Sequence, residues 1–574
     1  MIARLRKLAR AGQGGPLLAV VAPALVGLVA FALARSVLLP GQGFWDTGEF
    51  QSVPPVLGTA HPTGYPSYVI LGWLATLALA PAGEAALRMN LLAAVFLAVA
   101  ACFVVVLVRQ LTGRTVVAVG AGLLLALTPI PWRMGAFADP HTLHVALMAG
   151  LLVLLVGWEQ RRRAEAPRGD RWLVGAAALY GVMLGNHTLT ILLAPGIAAY
   201  VVAVDPRIFR RPRFVALCAG ALLGTTVAVY LELPIRAAMG APLVYGHPDT
   251  WDGFWYVVLA EQFRGDLVDP FGDLVRKGGD VARIFGEQLG ILAAAVPAAF
   301  LLTAVRRPRF AILTATWLGV TCWFAASYTN AAIDRYYLGP VLIAIAWLGV
   351  AAGILVEAVA PSDGRRDDRD EGDVVAAVDE PGPGAADGER AADAPSWADP
   401  RARLGASVLG LTLAAAMVLP AGLAAPATSA SIDLSGDTRA ADWSGWVLET
   451  TEADAVVVSW WSFSTPLWYR TVVQGERPDL EVVDDRDRLD ENLGSVDDVI
   501  RANVDTRPVY LVRNPGELAD LQSRWILEVV VDPYGIQPLY RVVGPRPAAG
   551  LAAVAPSAGL AAPAPATVPP RPLP

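Results

Sequence analysis

The chain has 574 residues, of which 55% are hydrophobic and only 17% charged, and its mean hydropathy is +0.47. Such values exclude an ordinary soluble globular protein and fit a chain that crosses a membrane many times, each crossing taking about 20 apolar residues. The formal net charge of −7, with arginines in short clusters between apolar runs, leaves no nucleic-acid footprint.

At the N-terminus Arg4, Arg6, Lys7 and Arg10 precede an apolar run from Pro16, a layout like that of a signal peptide even to an Ala32-Leu33-Ala34 triplet. The run is longer than a signal core and predicts an uncleaved first span. Further apolar runs lie near 89–108, 115–131, 143–158, 172–191, 190–204, 213–232, 286–305, 309–327, 336–358 and 404–425. The run at 66–81 is short and lies between prolines. Loop charge decides its placement, because cytoplasmic loops are enriched in Lys and Arg. If 66–81 does not cross, the clusters at Arg109/Arg114, Arg161–Arg163, Arg207–Arg213, Arg306–Arg309 and Arg401/Arg403 all join the N-terminus inside. This predicts a re-entrant or juxtamembrane helix at 66–81 and about eleven spans. Cys102, Cys218 and Cys322 all fall within apolar runs and suit neither a disulfide framework nor a zinc site.

Residues 361–400 carry twelve acidic and four basic side chains and predict a disordered cytoplasmic linker over 359–403. The run at 404–425 brings the chain back out. Over 430–545, short β-type runs (Ala455–Trp461, Leu480–Val483, Pro508–Val512, Trp525–Val531, Leu539–Val543) alternate with helix-like pieces and predict a small extracytoplasmic α/β domain. The Ala/Pro-rich tail, 546–574, is expected to be disordered.

This topology gathers on the outer face the polar groups that charge bias does not explain, and so predicts a shared cavity. Asp46 and Glu49 are three residues apart, on one face of a helical turn. Either Asp46 caps the turn with Glu49 at its third position, or a carboxylate here takes a proton from an acceptor hydroxyl; the spacing leaves both open. The stiff turn His61-Pro62-Thr63-Gly64-Tyr65-Pro66 either starts the next helix or presents His61 and Tyr65 to a ligand. Asp139, His141 and His144 lie together at the outer end of a span, suited to a substrate hydroxyl; a divalent metal is the less favoured ligand and no cofactor is expected. Asn186 and His187 interrupt an apolar run, as an interhelical hydrogen-bonding pair or as ligands. Arg236 and Arg335 oppose the charge bias, each binding a phosphate or pairing with its neighbour, Glu232 or Asp334.

The motif Asp46-Thr47-Gly48-Glu49-Phe50, followed by Leu57-Gly58 and then His61-Pro62-Thr63-Gly64-Tyr65-Pro66, resembles the first outer loop of bacterial membrane proteins related to the protein O-mannosyltransferases. Gly185-Asn186-His187-Thr188, Pro234-Ile235-Arg236-Ala237, Asp334-Arg335-Tyr336-Tyr337 and, later, Trp468-Tyr469 with Glu476-Arg477-Pro478-Asp479 look like the same family. The resemblance covers most of residues 16–545. It implies a mainly α, polytopic GT-C glycosyltransferase fold over 1–358, in the plasma membrane with a cytoplasmic N-terminus. It further implies inverting transfer of a sugar, mannose in the family, from a polyprenyl-phosphate donor to a hydroxyl of a protein, lipid or glycan. Asp46 is then the implied base with Glu49 in support. His61, Tyr65, Asp139, His141, Asn186, His187, Arg236, Asp334, Arg335 and Tyr336 are the candidate substrate-binding residues, although at Asp139 the family more often has Glu-Val-Tyr. The competing reading is a transporter or flippase of a lipid-linked sugar, which favours polar groups at mid-membrane and internal repeats.

Overall fold

A computed structural model describes residues 16–329, 332–359 and 400–547. The basic N-terminus, nearly all of the predicted acidic linker and the tail from 548 onward lie outside the described residues. Every predicted apolar run is helical. Six helices among the described residues are long and apolar enough to cross a membrane by themselves: Ala85–Thr112, Pro140–Arg163, Pro212–Ala238, Leu274–Arg306, Ile333–Val359 and Ala402–Ile432. Val20–Ser36, Thr115–Leu127, Arg171–Leu184 and Thr188–Val204 are shorter apolar helices, and Pro308–Ala325 occupies the remaining run. The helices at Pro66, Pro140, Pro212 and Pro308 open on proline, whose missing N–H has no role in a first turn. Ala85–Thr112 stops at Gly113, which takes the left-handed conformation (φ 70°) and returns its N–H to the Arg109 carbonyl at 2.8 Å.

Burial sorts these helices. In their most apolar windows, 83% of the residues of Pro140–Arg163 and of Ile333–Val359 are buried, against none in Pro212–Ala238. Pro212–Ala238 packs one side on Arg171–Leu184 and leaves the rest uncovered; an apolar surface of this kind is stable against hydrocarbon and not against water, so this helix faces lipid while the other two form the core. The helix Pro66–Ala78 has 13 residues. At 1.5 Å per residue it is about 20 Å long, short of the ~30 Å hydrocarbon core, and it packs against the helix Trp45–Val56.

The C-terminal part holds one five-stranded sheet, with one strand in each predicted β run: β1 (Val456–Val458), β2 (Glu481–Val483), β3 (Val509–Leu511), β4 (Trp525–Val530) and β5 (Leu539–Pro545). The spatial order is β2-β1-β3-β5-β4; β1 runs parallel to β2 and β3, and β5 runs antiparallel to β3 and β4. All three valines of β1 are buried, as expected for a central parallel strand covered on both faces.

This unit is docked on the first loop. The helix Trp461–Trp468 packs against Trp45–Val56. Phe44 meets Phe463 edge-on at 5.4 Å, and Gln42 donates to the Ser444 hydroxyl at 2.5 Å. Gly48 sits in this seam: a Cβ there would lie 2.5 Å from the Gly43 carbonyl oxygen and 2.6 Å from Thr465 Oγ1. The glycine between the two acidic residues is therefore needed for the close approach of the Gly43 carbonyl and the Thr465 side chain. Gly48→Ala is expected to cost about 1–3 kcal/mol through overpacking, read as a lower unfolding temperature of the purified protein.

Candidate active site

The first loop is held by a buried amide. Asn90, fully buried at the start of an apolar helix, donates to the Leu39 and Gly41 carbonyls at 2.9 and 3.0 Å. Its oxygen accepts from Gln51 Nε2 at 2.8 Å and from the Ala138 N–H at 2.9 Å. Gln51 in turn accepts from the Gly43 N–H at 2.8 Å. The hydrogen-bonding capacity of the Asn90 amide is thus filled, and it fixes both the loop before Asp46 and the approach to Asp139.

Asp46 lies in the first turn of Trp45–Val56, but the residue capping that helix is Phe44, with no side-chain cap. The capping arrangement for Asp46 and Glu49 does not occur. Instead Asp46 Oδ2 accepts from both terminal nitrogens of Arg335 at 3.0 Å, and Oδ1 accepts from Trp461 Nε1 at 3.1 Å. The same guanidinium reaches Asp139 Oδ2 at 3.3 Å. Burial alone would raise the Asp46 carboxyl; the charges of Arg335 and His61 and the hydrogen bonds from Trp461 and Arg335 outweigh it and hold the group down to about 2. Asp46 is ionised throughout the physiological range.

Glu49 is buried and engages one residue. Its Oε1 accepts the His61 N–H at 2.6 Å, and its Oε2 pairs with His61 Nδ1. Burial pulls the imidazole down, but the charge and hydrogen bond of Glu49 prevail and raise it above the ordinary histidine value. Asp46, Glu49 and His61 offer ligand atoms within 4.8 Å of one another. Two carboxylates and an imidazole at that spacing suit a divalent cation, which would supply positive charge beside an anionic substrate.

A cavity of 1120 Å³ opens between the helices and the C-terminal unit. Asp46, His61, Tyr65, Asp139, His187, Asp334, Arg335 and Tyr336 all line it. Glu49, His141 and Asn186 lie behind the wall: Asp139 Oδ1 accepts from the His141 N–H at 2.7 Å and lies 2.8 Å from its Nδ1, and Asn186 donates to the Pro140 carbonyl at 3.1 Å. Arg236 is elsewhere. It donates to the Leu57 and Val56 carbonyls at 3.1 Å each, closing the C-terminal end of Trp45–Val56. Its place is structural, because a cation at a helix C-terminus satisfies carbonyls that have no other partner. Arg335 pairs across the fold and not through its side chain with Asp334, which pairs with Arg133. Trp461, Tyr245, Asp484 and Arg486 also line the cavity and escaped the reading of the sequence. A signal existed, because Trp461 ends one predicted β run and Asp484 directly follows another, where open α/β sheets place ligands.

Residues 46–207 match the family model described as the protein O-mannosyl-transferase TMEM260 N-terminal domain. The mouse protein O-mannosyl-transferase TMEM260 is 29% identical over 241 residues, covering 41% of this chain and 32% of the mouse protein. Over this stretch the chain is similar to the protein O-mannosyl-transferases. The match spans about a third of the curated relative's length. Among solved structures, ArnT from Cupriavidus metallidurans bound to undecaprenyl phosphate superposes with a TM-score of 0.54 at 16% identity, over 90% of this chain and 97% of ArnT. The Archaeoglobus fulgidus oligosaccharyltransferase tethered with an acceptor peptide does so with a TM-score of 0.50 at 14% identity, over 90% and 74%. At such identities the likeness is one of fold. The GT-C helices and the C-terminal α/β unit together enclose the cavity.

Two predictions follow from this geometry. Asn90→Leu takes from the buried Ala138 N–H its acceptor and from the Leu39 carbonyl its side-chain donor, at about 1–3 kcal/mol each, and is expected to lower both the unfolding temperature and the fraction of protein that extracts folded. The depressed Asp46 carboxyl contributes stability that is present above its unfolded value of 3.8 and lost only as pH falls toward about 2. The advantage in melting temperature of wild type over Asp46→Asn should therefore shrink as pH falls from about 4 toward about 2.

Proposed function

We propose that this chain is a membrane glycosyltransferase that moves a sugar from a polyprenyl-phosphate donor to an acceptor hydroxyl. One observation carries the reading: the ionised Asp46 on the cavity wall is clamped between Arg335 and Trp461. The name of the matched family supports sugar transfer to a hydroxyl, with mannose as the sugar. Undecaprenyl phosphate bound to a protein of this fold supports the donor class. Arginine clusters on the opposite loops support a cavity on the extracytoplasmic face and an N-terminus inside.

In this mechanism the donor phosphate recruits Arg335. The guanidinium is buried and its Nε has no partner, so it has a donor to offer beyond the two carboxylates. As Arg335 turns to the phosphate, Asp46 loses the main charge that holds its proton affinity down, and burial then makes it a better base. The acceptor oxygen attacks the anomeric carbon from the side opposite the phosphate. Its proton passes to Asp46, the bond from the anomeric carbon to the phosphate oxygen breaks, and the lipid phosphate departs with the electron pair, stabilised by Arg335. Configuration at the anomeric carbon inverts. Glu49 holds His61 and through it the turn that forms one cavity wall. A cation held by Asp46, Glu49 and His61 would reinforce the positive charge at the phosphate, and the steps above require none.

Membranes carrying Asp46→Asn and supplied with lipid-linked sugar should transfer it about 10²–10⁴-fold more slowly, with expression unchanged. Full transfer by this variant would sink the assignment. Movement of labelled lipid-linked sugar across the bilayer with no transfer to any acceptor would instead make the protein a transporter.

A further inference from the structure

The three parallel strands of the C-terminal sheet end on one edge, and residues that follow β1 and β2 at that edge line the cavity. With β2 and β3 on opposite sides of β1, the chain reverses its direction of travel across the sheet there. The crevice outside such a switch point is where open α/β sheets bind ligands, because neighbouring connections diverge and leave a gap. In this chain the crevice opens into the membrane unit. Trp461 follows β1, and Asp484 and Arg486 follow β2; all three line the cavity.

Asp484 has more hydrogen-bonding capacity than its structural task needs. It caps the helix Asp485–Asp490: Oδ1 accepts from the Asp487 N–H at 2.8 Å, and the Asp487 carboxylate accepts the Asp484 N–H at 3.1 Å. A cap needs one oxygen. The other, Oδ2, is buried without a hydrogen-bond partner in a residue only 1% exposed. Burying an unpaired carboxylate oxygen costs about as much as a cap returns or more, so a polar atom in this place points to a donor from outside the chain. Arg486, 9% exposed, is its complement. The guanidinium bonds Asp487 at 2.6 Å and lies over the rings of Tyr245 and Trp468 at 5.3 and 5.0 Å, while its Nε has no partner. Burial, more than any neighbour, raises the Asp484 carboxyl above its ordinary value, against the pull of Arg486.

A buried carboxyl acceptor, a guanidinium donor and the aromatic rings of Trp461 and Tyr245, which meet edge-on at 6.3 Å, form a set that reads a sugar. The carboxylate accepts from a hydroxyl, the guanidinium donates to its oxygen, and an aromatic face covers the apolar C–H surface. Position selects which sugar. A lipid phosphate reaches the cavity from the membrane, where Arg335 stands at the head of a spanning helix, so the attached sugar projects toward the C-terminal sheet. We propose that Asp484 and Arg486 form a subsite for the hydroxyls of the donor sugar remote from its phosphate, so that the C-terminal unit selects which sugar is transferred. This rests on the donor reading given above.

The test measures binding without any acceptor. The full chain in nanodiscs is titrated with a polyprenyl phosphate and with the same lipid carrying one mannose. Wild type should prefer the mannosylated lipid by about tenfold or more, the worth of a hydrogen bond to a charged group. Asp484→Asn preserves the helix cap, since Asn caps about as well as Asp, but replaces the surplus acceptor. It should bring the preference within about threefold while affinity for the bare lipid phosphate stays unchanged. An intact preference in Asp484→Asn overturns the proposal, as does equal loss of affinity for both lipids, which marks a purely structural residue. Failure of wild type to bind either lipid removes the donor reading and this subsite with it.

Discussion

A guanidinium withdrawn from water must have its charge met, and Arg335 has two carboxylates for the purpose, Asp46 and Asp139. Each comes from a different part of the chain: the first loop, the cap of a core helix, and the turn that leads into the most buried helix. Removing Arg335 leaves two carboxylates without their shared cation, which is far costlier than losing a surface pair. The three elements are therefore fixed relative to one another by the requirement to neutralise a single group. Trp461 extends the same constraint to the C-terminal sheet through the second oxygen of Asp46. The cavity owes its shape to this junction. The bond that assembles it is also the bond a donor phosphate competes for, which couples substrate binding to the state of Asp46.

The polar groups around the junction fall into two kinds. Asn90, Gln51 and Glu49 are satisfied by partners within the protein, and they position the loop. Arg335 Nε, Asp484 Oδ2, Arg486 Nε and His187 Nε2 are buried without partners, and their residues all line the cavity. Native interiors seldom leave such atoms unpaired. Where their residues line the cavity, a polar ligand is the partner that can complete them. Satisfied amides make the frame, and unsatisfied cavity-lining atoms mark where the ligand belongs.

Much of this was legible in the sequence. The apolar runs are helices, and each predicted β run contains a strand, because hydrophobic length and β-branched clustering are local properties. The motif from Asp46 to Pro66 carried the carboxylates, the histidine and the glycine that the seam requires. Arg236 shows where local reading ends. Its charge and position on the outer side suggested a phosphate ligand, yet the nearest unmet need is the carbonyl end of the helix Trp45–Val56, visible only once that helix is placed. Asn90 was hidden for the opposite reason: a single amide at the edge of an apolar run gives no periodic signal, and its importance comes from four partners in three separate segments.

Composition and run length determined by themselves that this is a multi-spanning helical protein with a small α/β unit at its end. The first-loop motif singled out Asp46. Both are one-dimensional properties, set by transfer free energies and by short-range spacing. Tertiary structure decided what Asp46 touches. Its partners, Arg335 and Trp461, stand 289 and 415 residues further along the chain. No spacing rule reaches that far, because these contacts arise when helices pack and a docked sheet turns its carboxyl edge toward the membrane unit. A carboxylate that could have been a helix cap becomes, through that packing, the centre of a cavity.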